Sequence, residues 1–597
     1  MTEKIFNSDV LDVKFSDMLS KVRDNDASDS HSRLNLAFLR NITIEPLIPF
    51  FKYQCMTKGV KANTYVCDFD NIMQDVLDKN SRLYKHDPKI IFIFIKLEEI
   101  APKLCLQFPE LNSTQVTKHI EDIISYYKTM LDSIRSVSNA LIVFNNFEVN
   151  PFPSEGILDS QKIDGLANTT RRLNQDLLIL KNKYSGILVL DLDMVASRIG
   201  LINFHSNMQW HMSKMPFSNL AMRHISSEAV KYVIASNGGT KKCIILDCDN
   251  TLWGGVVGED GANGIVLDQN HPGSYFIKFQ KDLQNLKSQG VLLAICSKNN
   301  ESDVLSVFRD NENMVLKEND FSCMKINWNL KPDNIKEIAK DLNIGLQHIV
   351  FVDDSDFEIE MVTKLLPEVT TILVPKNLSM LNNIFDGKGY FDKIQDSSVD
   401  SNRTEMYLAE NKRKKELESK SNLEDYYRSL EIEARVGIMD STDLPRVAQL
   451  TQKTNQFNLT TIRYSEQDID VLSQAKYSDI ITLKAHDKFG EYGLIGVAIL
   501  RYIEAISEID TFLLSCRAIG RGLEDVMLEK CIEQAKTKEM KLISGSFSKT
   551  KKNSQVEYFF ETNGFDLKIE ESSKKEYLCK IDSLNIVSPK HIKVLKV

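Results

Sequence analysis

The chain has 597 residues, of which 42% are hydrophobic and 26% charged, and its formal net charge at pH 7 is −9. This composition is typical of a soluble globular protein, and the lack of a basic excess argues against nucleic acid or an anionic membrane surface as a partner. No apolar run approaches the roughly 18 residues of a membrane-spanning helix. The ten cysteines are scattered, which indicates a reducing, cytoplasmic compartment, and the length predicts about three or four domains.

The first predicted domain covers residues 1–237. Its apolar runs, KIIFIFIKL at Lys89–Leu97, ALIVFNNF at Ala140–Phe147 and GILVLDLDMV at Gly186–Val195, alternate with stretches of helical periodicity. Apolar strands that alternate with amphipathic helices predict a parallel sheet covered by helices on both faces.

The second predicted domain, residues 238–395, repeats this alternation with the apolar runs CIILDCD, VLLAICS, HIVFVDD and TTILVP. Residues 396–430 are highly charged with helical spacing, and we expect a solvated helical linker there. The third domain, residues 431–597, shows antiparallel-looking strands followed by a long helix after the sequence GRG, which predicts an α+β fold.

Two aspartates, Asp247 and Asp249, directly follow the apolar run Cys243–Leu246. In a parallel α/β sheet the ligand site lies beyond the carboxyl ends of the strands. Two neighbouring carboxylates repel each other, and a bound Mg²⁺ would reverse this. A solvated pair is the alternative, and the same strand-D-x-D pattern recurs at Asp191 and Asp193, so the pattern alone is a weak signal.

Further polar residues follow other apolar runs of the same domain. Ser297 offers a hydroxyl for a phosphate oxygen, and Lys331, before a predicted helix, offers a cation. Asp353 and Asp354 offer a second source of metal ligands. Phosphoryl transfer needs these groups together with a carboxylate nucleophile and an acid. In order and spacing the residues resemble the four motifs of the haloacid-dehalogenase (HAD) phosphatase superfamily.

The HAD resemblance implies a role for each residue. Asp247 would attack phosphorus and form an aspartyl-phosphate, and Asp249 would protonate the leaving oxygen and then activate water. Ser297 and Lys331 would hold the transferring phosphoryl group, and Thr251 would support the loop.

The same resemblance implies a Mg²⁺ site. Its ligands would be Asp247, the main-chain carbonyl of Asp249, and Asp354 in preference to Asp353, which would then pair with Lys331.

The segments between the motifs indicate an open site. They are too short for a full cap domain, so the site would be shielded at most by the flap WGGVVGEDG at Trp253–Gly261. Asp356 and Glu358 are predicted to be solvated residues at the start of a helix.

Longer stretches of the second and third domains resemble the FkbH-like branch of HAD proteins. They are LDCDNTLWGGVVGEDG, LLAICSKNNESD, INWNLKPDNIKEIAKDLNIG, FVDDSDFEIEMV and LTQKTNQFNLTTIRYSE. The resemblance implies an enzyme that takes a glyceryl unit from 1,3-bisphosphoglycerate, removes phosphate and delivers D-glyceryl to the thiol of an acyl carrier protein. Ser355 and Asp356 stand where the family usually has Asn-Pro, which bears on the geometry of this loop and leaves the aspartate doublet intact.

The third domain contains CRAIGRG, in which Arg517, Gly520 and Gly522 resemble the R/Q-x-x-G-x-G/A loop of the GNAT N-acetyltransferase fold. There, main-chain N–H groups at a helix N-terminus bind a pyrophosphate, so the expected ligand is coenzyme A or the phosphopantetheine of a carrier protein. Cys516 beside the loop is a candidate for a transient acyl carrier, with Cys296 as its rival. The alternatives are a glycine-rich turn for the loop and a buried structural thiol for each cysteine.

The first domain resembles the SGNH-hydrolase-like region of longer FkbH-like proteins. Active SGNH enzymes need a serine after the first strand and a late D-x-x-H. This chain has Asn41 and Thr43 at the first place, and Met208 with His211 at the second. A triad without its nucleophile and its orienting acid is not expected to hydrolyse esters, so we interpret the domain as a binding or docking domain.

The predicted architecture is multidomain α/β, with an SGNH/flavodoxin-like parallel sheet, a capless HAD Rossmann-like domain and an α+β GNAT-like domain. The predicted function is a Mg²⁺-dependent phosphatase that acts on a phosphorylated small-molecule acyl donor and delivers the acyl unit to an acyl carrier protein. The alternative is a plain phosphatase whose flanking domains recruit a partner. A non-enzymatic scaffold is disfavoured, because every HAD catalytic position is filled.

Overall fold

Three β-sheets organise the chain, two of them parallel and one mainly antiparallel. The computed structural model describes residues 13–27, 33–394, 422–515, 518–550, 552–571 and 573–595, with the single positions 409, 413, 416 and 420. The prediction of a multidomain α/β protein is confirmed. Within these residues no helix combines the length and apolar character needed to cross a membrane.

Two compact units divide the described residues. The first extends to Thr240 and also includes Phe385–Ile394, and the second consists of Lys241–Ile384 and the described residues from Gln395 onward. The returning segment makes defined contacts in the first unit. The ammonium of Lys58 lies 5.7 Å from the ring centroid of Tyr390, and Lys231 Nζ is 3.9 Å from Asp392 Oδ2. The last residues of the predicted phosphatase domain therefore pack with the first unit.

The first unit contains five parallel strands in the order β2-β1-β3-β4-β5. They are β1 Leu34–Arg40, β2 Ala62–Val66, β3 Ile90–Phe94, β4 Leu141–Asn145 and β5 Ile187–Leu190. This is the order of flavodoxin-like folds, in which ligands bind beyond the carboxyl ends of the strands where the order reverses, here between β1 and β3.

Both faces of this first sheet are apolar. Along β1, Leu36 and Phe38 belong to the core on one side, whereas Ala37 and Leu39 belong to the core on the other. Successive side chains of a strand point to opposite faces, so a strand covered on both sides must be apolar throughout. Phe38 stacks on Phe92 of β3 with ring centroids 5.2 Å apart.

Amphipathic helices cover these two faces. Ser113–Arg135 contributes to one core and Asn219–Ser236 to the other. The remaining helices of the unit are Phe15–Ala27, Leu47–Thr57, Ile72–Leu77, Arg82–Lys85, Leu97–Ile100, Pro102–Leu106, Leu166–Lys181, Leu192–Ile199, Leu201–Phe204 and Asn207–Ser213.

The second unit begins with another parallel sheet, in the order β10-β9-β6-β7-β8. Its strands are β6 Cys243–Leu246, β7 Leu292–Ser297, β8 Cys323–Ile326, β9 Ile349–Asp353 and β10 Thr370–Leu373. Read from the other edge this is the Rossmann-type order, which reverses between its first strand, β6, and its fourth, β9. The helices are Val257–Asp260, Gly273–Ser288, Glu301–Asp310, Lys331–Asp341 and Asp356–Leu365.

A mainly antiparallel sheet forms the C-terminal part of the chain, in the order β17-β18-β16-β15-β14-β13-β11-β19. Its strands are β11 Ile432–Ile438, β12 Phe457–Asn458, β13 Ser478–Asp487, β14 Gly490–Ile503, β15 Ile506–Leu514, β16 Leu542–Ser548, β17 Asp566–Glu570, β18 Lys574–Lys580 and β19 Ile592–Leu595. The pairs β15–β16 and β11–β19 run parallel. Its helices are Leu423–Leu430, Leu444–Lys453, Glu466–Gln474, Leu523–Thr537 and Phe559–Thr562.

Arg413 lies in the segment predicted to be a solvated linker, yet its side chain is only 2% exposed. Its guanidinium donates hydrogen bonds of 2.7 and 2.8 Å to the carboxylate of Asp487 at the end of β13. The same group lies over the ring of Tyr492, 4.1 Å from the centroid, and the Tyr492 hydroxyl also donates to Asp487. At this position the segment is therefore anchored to the C-terminal sheet.

We expect Arg413→Met to destabilise the C-terminal part of the chain. Removal of one partner from a buried ion pair leaves the other charge uncompensated and costs about 3–5 kcal/mol. Lys420→Met is the matched control, because Lys420 lies near the surface, 3.5 Å from Glu416, where changes are usually within about 0.5 kcal/mol. Urea unfolding followed by circular dichroism measures both variants, and equal losses would contradict the anchoring role.

Candidate functional site

Three carboxylates meet at the carboxyl edge of the second parallel sheet, where the strand order reverses between β6 and β9. Asp247 follows β6, and its main-chain N–H donates to the carbonyl of Val352 at 3.0 Å. Asp353 ends β9, and Asp354 follows it. Asp247, Asp353 and Asp354 each offer one carboxylate oxygen, and these three oxygens lie within 4.8 Å of one another.

The ammonium of Lys331 lies among these carboxylates. Its Nζ is 2.5 Å from Asp353 Oδ2 and 3.1 Å from Asp247 Oδ1, and the lysine side chain is 4% exposed. Lys331 is the first residue of the helix Lys331–Asp341, and Pro332 in the first turn favours a helix start at this point. The start of one helix therefore fixes the cation of the site.

Burial and charge both shift the titration of this cluster. Burial lowers the pKa of Lys331, but the charges of Asp247 and Asp353 outweigh it and raise this pKa above its usual value. Burial and the charge of Asp247 raise the pKa of Asp353, while Lys331 offsets part of this shift. Burial and Asp247 also raise the pKa of Asp354. A further cation would relieve the remaining repulsion.

Three donors hold the carboxylate of Asp249. The indole Nε1–H of Trp253 at 2.9 Å and the main-chain N–H of Val257 at 3.1 Å donate to Oδ1. The side-chain amide of Asn299 donates to Oδ2 at 2.9 Å. These bonds fix the orientation of the carboxylate, as a proton-transfer group requires.

Trp253 and Asn299 are site residues that the sequence argument missed. Trp253 is fully buried, although it opens the predicted flap. The amide of Asn299 also lies 3.1 Å from Ser297 Oγ, so Asn299 connects two of the motif residues. Both residues are close to the motifs in the sequence, which is the one signal that could have identified them. Neither side chain titrates, so the sequence argument did not select them.

Ser297 and Thr251 are buried in the same region, with 1% and 0% of their surface exposed. Ser297 is the last residue of β7. The hydroxyl of Thr251 has no hydrogen-bond partner among the described residues. A buried hydroxyl without a partner leaves hydrogen-bonding capacity for a ligand or an ordered water.

Glu358 was predicted to be solvated, but it is buried. Asp356, for which the same was predicted, is exposed. The Glu358 side chain is 8% exposed and accepts a hydrogen bond of 2.6 Å from Lys298 Nζ. Lys298 directly follows Ser297, so this ion pair ties the end of β7 to the helix that follows the aspartate doublet. The buried pairing with Lys298 is the reason that Glu358 is withdrawn from solvent.

The donor set fits a Mg²⁺ ion, because hard divalent cations prefer carboxylate oxygens. Asp247 Oδ1 is buried and makes no hydrogen bond within the described part of the chain, although Lys331 Nζ is 3.1 Å away. Asp353 is already engaged by Lys331 and by the main-chain N–H of Ser355 at 2.9 Å. Asp247 and Asp354 are therefore the better placed carboxylates for the cation.

The predicted flap turns back beside the site. Asn250 and Gly255 adopt left-handed conformations with φ of 51° and 92°, and the Gly255 N–H donates to Asn250 Oδ1 at 2.9 Å. Between Asp247 and Ser297, a stretch that is described throughout, the chain forms two helices and no additional sheet. No separate cap domain is built from this stretch.

The glycines of the predicted GNAT loop precede the helix Leu523–Thr537. Gly520 and Gly522 have φ of 76° and 79°, a conformation that glycine adopts without the penalty other residues incur. Cys516 and Arg517 lie outside the described residues. The rival thiol, Cys296, is buried, and burial raises its pKa to about 12, as is typical of a structural cysteine.

A proline packs against the second glycine of this loop. At the start of the helix, burial raises the pKa of the Glu524 carboxyl, whose Oε2 is buried without a hydrogen-bond partner within the described residues. A Cβ atom on Gly522 would lie 2.6 Å from Pro589 Cγ, so Pro589 packs directly on this glycine. A substitution at Gly522 would therefore disturb this packing as well as any ligand.

The two parallel strands beside the loop are also bridged. β15 and β16 pair over only four residue pairs, from Ile506–Leu542 to Ile509–Gly545. Beyond them, β12 pairs with the end of β15, and the Ser548 N–H of β16 donates to the carbonyl of Leu459 at 2.7 Å. Within the described residues, Pro589 and β12 therefore pack beside the loop, and no step through coenzyme A is assigned to it.

The SGNH-like positions of the first unit do not form a triad. The buried side chain of Asn41 accepts a hydrogen bond from the main-chain N–H of Lys96 at 2.8 Å, and Thr43 donates to the carbonyl of Ser213 at 2.5 Å. Met208 and His211 are both exposed on the helix Asn207–Ser213.

The sheet order and the carboxylate–lysine cluster define a domain of the HAD phosphatase type. Residues 47–234 match the family model "FkbH, N-terminal domain". This match lies in the first predicted domain and confirms the prediction that the chain resembles FkbH-like proteins. The chain is similar to the N-terminal part of the Bacteroides fragilis protein BF1531, which contains a phosphatase domain and was solved in complex with Mg. The two are 26% identical, with a TM-score of 0.57, over 63% of this chain and 99% of that one.

Two acetyltransferases match the chain weakly. The ribosomal-protein-S18-alanine N-acetyltransferase of Escherichia coli is 13% identical with a TM-score of 0.21, over 25% of this chain and 94% of that one. The PaiA N-acetyltransferase of Thermoplasma acidophilum, solved with coenzyme A, is 21% identical with a TM-score of 0.19, over 25% and 98%. At these TM-scores neither bears on the fold. None of the curated proteins compared with the chain matches it.

We expect Mg²⁺ to raise the melting temperature of the chain. Removal of Mg²⁺ with EDTA should reverse this increase. A ligand at a concentration 100 times its Kd stabilises the folded state by about 2.7 kcal/mol. Asp354→Asn should largely abolish this shift, whereas Asp356→Asn, at an exposed carboxylate two residues away, should retain it. Differential scanning calorimetry provides the measurement, and an undiminished shift in Asp354→Asn would exclude Asp354 as a ligand.

Proposed function

We propose that the second parallel sheet carries a Mg²⁺-dependent phosphatase of the HAD type. The observation that carries this proposal is the ammonium of Lys331 between Asp247 and Asp353, with Asp354 beside them, at the edge where the strand order reverses. This cluster offers a carboxylate nucleophile, a fixed cation for phosphate oxygens and ligands for a divalent cation. The likeness to the Mg-complexed phosphatase domain of BF1531 supports it.

In this proposal Asp247 forms a bond to phosphorus while the bond from phosphorus to the leaving oxygen breaks. Lys331, 3.1 Å from Asp247 Oδ1, offsets the negative charge of the phosphoryl group. Asp249, oriented by its three donors, gives a proton to the leaving oxygen and later takes one from the water that hydrolyses the aspartyl-phosphate. When bound, Mg²⁺ would reduce the repulsion between the nucleophile and the phosphate.

The finer part of the proposal concerns the substrate and the acceptor. We propose a phosphorylated glyceryl donor of the 1,3-bisphosphoglycerate type, with delivery of the acyl unit to the thiol of an acyl carrier protein. The match of residues 47–234 to the FkbH N-terminal domain and the FkbH-like stretches of the sequence support this. The alternative is a plain phosphatase whose other domains recruit a partner, and the covered loop at Gly522 favours it.

Asp247→Asn should abolish Mg²⁺-dependent phosphate release, because the amide is a poor nucleophile. Asp249→Asn should lower kcat severely, since general acid–base catalysis typically contributes about 10²–10⁴-fold. Phosphate release from a small phosphate ester, with circular dichroism as the folding check, provides the measurement.

The matched control for these two variants is Asp193→Asn, in the other strand-D-x-D of the chain. Asp193 lies in the first unit and accepts a hydrogen bond from the Val149 N–H at 3.2 Å, so it should leave phosphate release unchanged. Full activity in well-folded Asp247→Asn would remove the HAD mechanism.

The acyl-transfer part is tested with 1,3-bisphosphoglycerate, Mg²⁺ and a holo acyl carrier protein, followed by intact-mass measurement of the carrier. Delivery of a glyceryl unit adds its mass to the carrier, and Cys516→Ala should block loading while it leaves phosphate release from a small ester unchanged. Loading by Cys516→Ala at the normal rate would remove Cys516 from the transfer. Phosphate release without any carrier adduct would leave the plain phosphatase.

A further inference from the structure

A cavity of about 490 Å³ lies in the first unit, at the carboxyl edge of its parallel sheet. Its wall includes Ile42 after β1, Phe94 and Lys96 at the end of β3, and Asn145 and Phe147 at the end of β4. Flavodoxin-order sheets bind ligands at this edge, where the strand order reverses. The volume falls within the roughly 300–1,000 Å³ that is usual for small-molecule sites.

A carboxylate–imidazole pair forms part of this wall. His205 Nε2 lies 3.0 Å from Glu148 Oε1, and both residues line the cavity. Burial raises the pKa of Glu148, but His205 and Lys96 together lower it to about 2, so the carboxylate is ionised at neutral pH. Its oxygen pairs with Nε2 of His205, which leaves Nδ1 of the ring without a hydrogen-bond partner within the described residues.

The rest of the wall is largely apolar. Phe147, Leu166, Leu192 and Phe217 are buried parts of it. Three further lining residues are large, apolar and exposed, namely Leu106 at 66%, Phe152 at 74% and Ile202 at 76%. Exposed apolar side chains around a concave site are typical of a ligand site with an apolar chain.

The charges of the wall disfavour an anionic ligand. The lining residues that can carry a charge near neutral pH are Lys96, Glu98, Glu148 and His205. The net charge of these four side chains is −1 when the imidazole is neutral and zero when it is protonated. In neither state does the wall carry the net positive charge that would favour an anion.

A cationic ligand is disfavoured by the aromatic side of the wall. The ring of Trp210 already lies beneath two ammonium groups, those of Lys96 at 5.2 Å and Lys214 at 4.5 Å from its centroid. A further cation there would meet charges of its own sign.

We propose that this cavity binds an uncharged amphipathic small molecule, whose amide or hydroxyl head bonds to the His205–Glu148 pair and whose apolar chain lies along Phe152 and Ile202. Such a head can donate to the ionised carboxylate, and it can pair with the free imidazole nitrogen whether that nitrogen accepts or donates a hydrogen bond. This site is separate from the phosphatase edge, and the proposal does not depend on phosphatase activity.

Three probes with the same alkyl chain and different head groups test the proposal on the whole 597-residue polypeptide. Octanamide, octanoate and octylammonium are titrated separately, by calorimetry and by ligand-observed NMR. We expect octanamide to bind at least tenfold more tightly than either charged probe, and at least tenfold more tightly than butanamide, because the longer chain buries four more methylene groups.

Two variants test the head-group contacts. His205→Asn should weaken octanamide binding by about tenfold, the loss expected for a hydrogen bond in a charged network. Glu148→Gln removes one negative charge from the wall, so octanoate should gain affinity relative to octanamide. Lys128→Met is the control, because Lys128 forms an exposed pair with Asp132 on the helix Ser113–Arg135, and it should bind all probes like the unaltered chain.

Several outcomes would overturn the proposal. They are octanoate or octylammonium binding as tightly as octanamide, no binding of any probe, or an unchanged head-group preference in Glu148→Gln. Unaltered octanamide binding by a folded His205→Asn variant would also do so. Where a variant fails the thermal-unfolding check, the comparison of the three probes on the unaltered chain decides by itself.

Discussion

At the phosphatase edge, the ammonium of Lys331 lies between two carboxylates, 2.5 Å from Asp353 and 3.1 Å from Asp247. Two buried carboxylates at this spacing would repel each other, and burial would favour their neutral forms. The lysine offsets part of this repulsion, and removal of such a buried partner is strongly destabilising. Because Lys331 is also the first residue of its helix, the start of that helix positions the ammonium against the carboxylates of Asp247 and Asp353 together.

The parts of this site that could be predicted are those determined by strands and charge. Apolar runs identified β6 and β9, and parallel strands bring their carboxyl ends to one edge, so Asp247 and Asp353 could be expected to be neighbours. Trp253 and Asn299 could not be predicted in the same way. Their contacts with Asp249 depend on how the backbone turns after β6, and no periodicity or charge pattern encodes the approach of an uncharged side chain.

The C-terminal loop and the first unit show where motif reasoning ends. The spacing of Gly520 and Gly522 predicted a glycine-rich loop before a helix, and both glycines have the left-handed conformation that such a loop needs. Whether the loop is free depends on Pro589 and β12, which reach it from distant parts of the sequence. Likewise, the D-x-x-H comparison pointed to His211, which lies on the helix Asn207–Ser213. The histidine that lines the cavity is His205, which precedes this helix.

The segment Phe385–Ile394 belongs to the first unit, although about 145 residues separate it from Thr240. At a synthesis rate of about 5–20 residues per second, roughly 7–30 s pass between the synthesis of Thr240 and that of the segment Phe385–Ile394. In that interval the surface around Lys58 and Lys231 lacks Tyr390 and Asp392. The nascent first unit is therefore incomplete while the phosphatase sheet is being made, and a truncated chain that stops at Thr240 would carry the same uncovered surface permanently.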